Sequence, residues 1–193
     1  MTADAAQVRW ARWWCEAWDW AHPDWKASFV GASGVSEQTF GSLMRSRHGA
    51  FLHATGVVPT QPPGLEQPCA QNLMQWLALS ADQQEQALFL ARRICYAPTD
   101  RLAGGATLQP LPASGHPHEQ WCRSLAKALR PGAWLDSHST DARLLLGAWV
   151  GEDCWSRLRL SWAPGEVGET LRQLPGHKLQ TLWHAIFWRV NTA

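Results

Sequence analysis

A chain of 193 residues is long enough for one well-buried domain or two small ones sharing an interface, since a domain takes roughly 100–200 residues. Its 17 Lys and Arg against 16 Asp and Glu leave a formal net charge of +1, which lacks the basic excess that phosphate-backbone binding needs, so nucleic acid is not expected as a partner. The unusual quantity is 14 Trp beside 5 Phe and 1 Tyr: each Trp is a large apolar body with one N–H that needs a partner when buried, suited to a core and equally to anchoring an interface.

From Asp4 to Ala21, Trp10, Trp13, Trp14 and Trp18 recur at spacings of three and four, which places them along one stripe of a helix that His22-Pro23 ends. Such a stripe also occurs in helices that lie on membranes. Here Arg9, Arg12 and Lys26 mix with Asp4, Glu16, Asp19 and Asp24, so the basic face that draws such helices to anionic lipid is missing, and core or protein interface is the better reading. A second short helix is predicted over Glu37–His48, with Phe40, Leu43, Met44 and Arg47 on adjoining positions and Gly49 as its stop. The proline- and glycine-rich stretch 55–68 reads as an irregular connection.

Residues Cys69–Leu79 look helical. Ser80-Ala-Asp-Gln83 is a capping-box pattern, in which the Ser hydroxyl and the Gln side chain satisfy each other's free backbone N–H groups. The helix it opens runs to about Tyr96, with Ala87, Leu88, Ala91, Ile94 and Cys95 on its buried face. A second loop-rich stretch spans 98–115. Pro117 then suits the first turn of a helix carrying Trp121, Leu125 and Leu129, which Arg130-Pro131-Gly132 stops. Helices are also predicted over Asp141–Val150, Glu152–Trp162 and Glu166–Leu174, and over His177 to about Val190. The last is apolar over more than one face, as a buried or partner-covered helix would be. The whole predicts an all-α, compact fold of about seven to eight helices in a single domain spanning 1–193. The two loop-rich stretches divide it into lobes 1–54 plus 69–97 and 116–193.

No constellation of residues points to catalysis. His116-Pro117-His118 is the closest His pair, but it lacks a recognised ligand spacing. There is no G-x-S-x-G elbow and no phosphate-cradling loop, and Cys122 falls on a buried helix face, where a thiol is usually a small hydrophobe. Glu152-Asp153 sits where carboxylates complement a helix dipole. Neither a catalytic residue nor a metal or cofactor site is therefore expected. Five widely spaced Cys without a C-x-x-C pair fit a reducing compartment. No secretory leader is visible, and the longest uncharged run, Leu102–His118, is broken by Gly and Pro and cannot form the ~20-residue apolar helix of a membrane span.

Glu119-Gln-Trp-Cys-Arg-Ser-Leu-Ala-Lys-Ala-Leu-Arg-Pro-Gly-Ala-Trp-Leu135, Gly147-Ala-Trp-Val-Gly151, Trp155-Ser-Arg-Leu-Arg-Leu160 and Lys178-Leu-Gln-Thr-Leu-Trp-His-Ala-Ile-Phe-Trp-Arg189 together resemble the accessory sorting-platform proteins of bacterial type III secretion systems, the family of SctK, YscK and HrpD. The resemblance covers roughly Ser80 to the C-terminus. It implies a non-catalytic cytoplasmic adaptor without a cofactor, held between the cytoplasmic domain of the inner-membrane ring protein and the pod-forming platform protein, and peripheral to the membrane through that apparatus. Its motifs are packing motifs, so interface residues do not transfer from the family. Trp10, Trp14, Trp18, Phe187 and Trp188 are the interface candidates that composition and helix patterning offer. Two alternatives stay open: a secretion chaperone or other regulatory binding module, and an enzyme or ligand binder with a site assembled from dispersed residues such as His53, His118 and His184.

Overall fold

The computed structural model describes residues 3–33, 48–57, 71–96, 118–135, 141–168 and 174–192. The architecture is all-α. Its helices are α1 (Ala3–Cys15), α2 (Ala17–Trp20), α3 (Pro23–Ser33), α4 (48–54), α5 (Gln71–Leu77), α6 (Ala81–Cys95), α7 (Glu119–Leu129), α8 (Ala142–Val150), α9 (Glu152–Leu158) and α10 (Gly176–Thr192). Short 3-10 turns follow α7 at Pro131–Ala133 and α9 at Arg159–Ser161.

The chain forms two compact units: Met1–Leu79 with Arg143–Arg172, and Ser80–Ala142 with Gln173–Ala193. This division differs from the lobes drawn at the Pro/Gly-rich stretches. Helix α6 belongs with α7 and the C-terminal α10, and α8 and α9 belong with the N-terminal helices. The reason lies in which apolar faces cover each other, which loop composition does not report.

In the first unit the N-terminal Trp stripe is split. Helix α1 stops at Cys15, Glu16 takes a non-helical conformation, and α2 restarts at Ala17. Pro23 opens α3 instead of only ending its predecessor, because at the first helical position its missing N–H costs nothing. Trp10, Trp13 and Trp14 are buried. Trp13 stacks on Trp20 with centroids 5.2 Å apart and planes 7° from parallel, and the Trp20 indole donates to the Trp13 carbonyl at 3.0 Å. A second cluster gathers Ala17, Ala21, Phe51, Leu52, Val57 and Leu160, with Trp18, Trp25 and Phe29 packed against it. There the Trp25 indole donates to the Trp162 carbonyl at 2.8 Å. Helix α4 passes through Gly49, which is therefore not a stop, and the chain turns at Gly56 with φ 71°. The remainder of the helix expected over Glu37–His48 lies outside the described residues, as do 58–70, 97–117 and most of Glu166–Leu174. Residues 164–166, which are described, form a turn.

Helices α8 and α9 meet at Gly151, whose φ of 91° suits glycine alone. Four residues earlier, Gly147 lets the Trp155 ring lie against the α8 backbone: a Cβ there would meet ring atoms at 2.7 and 3.0 Å. The segment Gly147–Gly151 is thus a close-packing device. Asn72 on α5 donates to the Trp149 carbonyl at 2.9 Å, which ties α5 to the end of α8.

The second unit is built on α6. Its capping box is formed as the sequence predicts: the Ser80 side chain accepts from Gln83 N–H, and the Gln83 side chain accepts from Ser80 N–H. Ala87, Leu90, Ala91 and Ile94 are its buried face, with Leu88 and Cys95 only half-buried. Both α10 and α7 pack on it. The Gln83 amide reaches Asn191 at 3.4 Å, so the start of α6 meets the end of α10. Helix α10 buries Leu179, Leu182, Trp183, Ile186, Phe187 and Val190. The stop after α7 lies where expected, but its left-handed residue is Arg130, with φ 52°, not Gly132.

Candidate functional sites

The interface candidates fall into contrasting environments. Trp10 and Trp14 are buried, and Trp18 is half-buried, edge-on to Phe51 at 5.0 Å. Phe187 is buried against Trp183 at 5.8 Å. Trp188, its immediate neighbour, is 62 % exposed. Adjacent residues of a helix point about 100° apart, so Phe187 can face the unit's core while Trp188 faces outward. Phe89 on α6 is the other large apolar side chain of this unit that stays exposed among the described residues.

The same unit holds a polar node where α6, α7 and α10 converge. His118, at the start of α7, is buried. Its Nδ1 accepts from Arg189 Nε at 3.0 Å, which fixes the tautomer with the proton on Nε2. Its Nε2 lies 3.3 Å from the Gln86 side-chain nitrogen. The Arg189 guanidinium also lies 5.9 Å from the centroid of the half-buried Trp121 ring. Alongside, Glu119 accepts from Arg93 and, at 3.0 Å, from Arg123. The Arg93 hydrogen bond is the main reason its carboxyl sits below the ordinary range.

His53 is exposed and belongs to the first unit; His118 is the buried node just described; His184 is exposed and 2.8 Å from Gln180. Among the described residues no three His, Cys, Asp or Glu side chains form a group that could hold a metal ion. Burial pushes the Cys95 thiol up to about 12 and Cys154 to about 11. Cys122 is raised by burial and then by the Glu119 charge. Raised thiols stay protonated at neutral pH and are poor nucleophiles.

The first unit holds a group the sequence did not single out. Arg157 on α9 is only 3 % exposed, and its guanidinium lies 3.7 Å from the centroid of the Trp14 ring. Nε and Nη1 are sequestered from solvent without a hydrogen-bond partner. Nearby, His48 on α4 donates to the Trp14 carbonyl, and burial together with the Arg157 charge lowers its pKa. The available signal was spacing: Arg157 follows Cys154 by three positions and precedes Leu158, so it shares their inward face.

No family model, curated protein or solved structure is similar to the chain. Among the described residues no helix is long and apolar enough to cross a membrane.

Proposed function

We propose that the protein is a non-catalytic adaptor of a bacterial type III secretion sorting platform, linking the cytoplasmic domain of the inner-membrane ring protein to the pod-forming protein. It works in the cytoplasm, peripheral to the inner membrane through the apparatus. The observation that carries this reading is Trp188. Two segments of the resemblance, Glu119–Leu135 and Lys178–Arg189, belong to one unit, and in the second of them a Trp stands 62 % exposed beside the buried Phe187. A rigid aromatic held outward on a packed helix loses little conformational freedom on binding, which is the property of interface anchors. The raised thiols suit packing better than nucleophilic chemistry.

Deletion of the gene tests the role. An adaptor of the platform is required for secretion of every substrate, so all should be lost together. Loss of a single effector with the rest secreted normally would replace this reading with a secretion chaperone.

A further inference from the structure

We propose that the outer face of α7, carrying Arg123, Lys127 and Arg130, is a docking surface for an acidic helical segment of a partner protein. Helix α7 buries Cys122 and Leu129 and exposes Gln120, Arg123, Ser124, Lys127 and Ala128, with Arg130 exposed at its C-terminal cap. Every charged residue of that exposed face is a cation. The carboxylate at its edge, Glu119, is already shared by Arg93 and Arg123, so the cations around it outnumber it. Lys127 and Arg130 form no ion pair with a described carboxylate. Spacings of four and then three residues put Arg123, Lys127 and Arg130 on one stripe, its ends about 10 Å apart along the axis.

Arg130 is the residue the fold itself does not explain. Its φ of 52° is left-handed, which among the described residues no other non-glycine shares, and it stands at the helix end where glycine is favoured because a Cβ is strained. The capping there is done by backbone: Arg130 N–H donates to the Ala126 carbonyl, and the Arg130 carbonyl accepts from Ala133 N–H. Glycine would make both bonds. The Arg130 side chain is exposed, without a hydrogen bond or ion pair to a described residue. A cation in the last turn complements the helix dipole, but Lys127 already supplies one. Arg123 and Lys127, four residues apart, repel each other. Strain and like charge both work against the isolated chain, and an opposing negative surface offsets them.

The charge pattern selects the occupant. Exposed ion pairs are individually weak, so binding needs several carboxylates matched in spacing, which a helix with Glu or Asp at every third and fourth position supplies. A lipid surface would draw on large apolar side chains entering the acyl layer, and the exposed face of α7 has none. Nucleic-acid binding at physiological salt rests on more phosphate contacts than this short stripe can make. The stripe lies on α7 and Trp188 on α10, and acidic-segment binding does not depend on the secretion-platform role.

The test is fluorescence anisotropy of a fluorescein-labelled, alanine-based helical peptide with glutamates at every third and fourth position, titrated with the full chain at low salt. The same peptide with glutamines is the blank. The glutamate peptide should bind saturably, the blank should not, and the affinity should fall steeply as salt is raised. Lys127→Gln and Arg130→Gly should each weaken binding by about threefold, and together by about tenfold. Arg130→Gly should do so while melting no lower than the unmodified chain, which separates binding from folding. Arg92→Gln removes an exposed cation of α6 and should leave the affinity unchanged. No binding by the unmodified chain, undiminished binding by the double variant, or an equal loss in Arg92→Gln would each overturn the proposal, as would tighter binding of an oligothymidylate of equal charge or of phosphatidylserine vesicles.

Discussion

Gly147→Ala is the most searching perturbation of the first unit, because two effects of known size oppose each other there. In an exposed helix the change would stabilise by about 1 kcal/mol through helix propensity. At this position the new Cβ meets Trp155 ring atoms at 2.7, 3.0 and 3.0 Å. Trp155 is 3 % exposed, with the Trp162 ring 5.8 Å away, so the contact is with a packed ring and not with the loose end of a side chain. Overpacking of this kind costs about 1–3 kcal/mol. With the contact closer than a Cβ tolerates, overpacking wins, and the net loss should be ~1–2 kcal/mol. With a urea slope of about 2 kcal/mol per molar, the midpoint followed by circular dichroism should fall by ~0.5–1 M. Trp155→Phe removes part of the obstructing ring, so the double variant should recover ~1 kcal/mol relative to the sum of the single changes. A Gly147→Ala midpoint at or above that of the unmodified chain would refute the packing argument.

Trp183, with no exposed surface, should cost ~3–5 kcal/mol when replaced by Ala. Trp121, half-buried, should cost markedly less in the same denaturation assay. Arg130→Gly relieves a left-handed backbone conformation at φ 52°, and should raise the stability of the second unit by ~1 kcal/mol in urea unfolding. The folded pKa of His48 lies below its ordinary 6.5. Its contribution is therefore present in full above pH 6.5 and is lost as pH falls through the folded pKa. Melting curves between pH 7.5 and 5 should show that loss, and His48→Gln should flatten it.

The readable parts of this fold were those whose signals are local. The capping box at Ser80–Gln83 is two reciprocal hydrogen bonds within four residues, and it stands as the sequence predicts. The stop at Arg130-Pro131 also lies in place, because proline cannot continue the helix. Other features depended on partners distant in the chain. Helix α3 is not legible at Pro23, because a proline that can close one helix is equally suited to open the next. Leu90 joins the buried face of α6, on which both α10 and α7 pack, and no window around Leu90 contains that information. The same holds for the two units, whose members are set by face-to-face packing and not by the Pro/Gly-rich connections.

The candidate sites divide along the same line. Helical periodicity brought both Phe187 and Trp188 forward, but only their packing separates a buried residue from one 62 % exposed. Arg157 and Arg159 sit two apart in Trp-Ser-Arg-Leu-Arg-Leu, and charge patterning cannot tell them apart. The structure does: Arg159 Nη2 donates to the Thr55 carbonyl at 2.6 Å, whereas Arg157 has two buried nitrogens without an acceptor.

The adaptor role is tested most directly by co-elution of the purified full chain with the ring protein's cytoplasmic domain and with the pod-forming protein, comparing the unmodified chain with Trp188→Ala. The account predicts that the unmodified chain retains both partners, and that Trp188→Ala, melting as before, loses one of them, as removal of an anchor worth ~2 kcal/mol or more would cause. Retention of neither partner by the unmodified chain would contradict it.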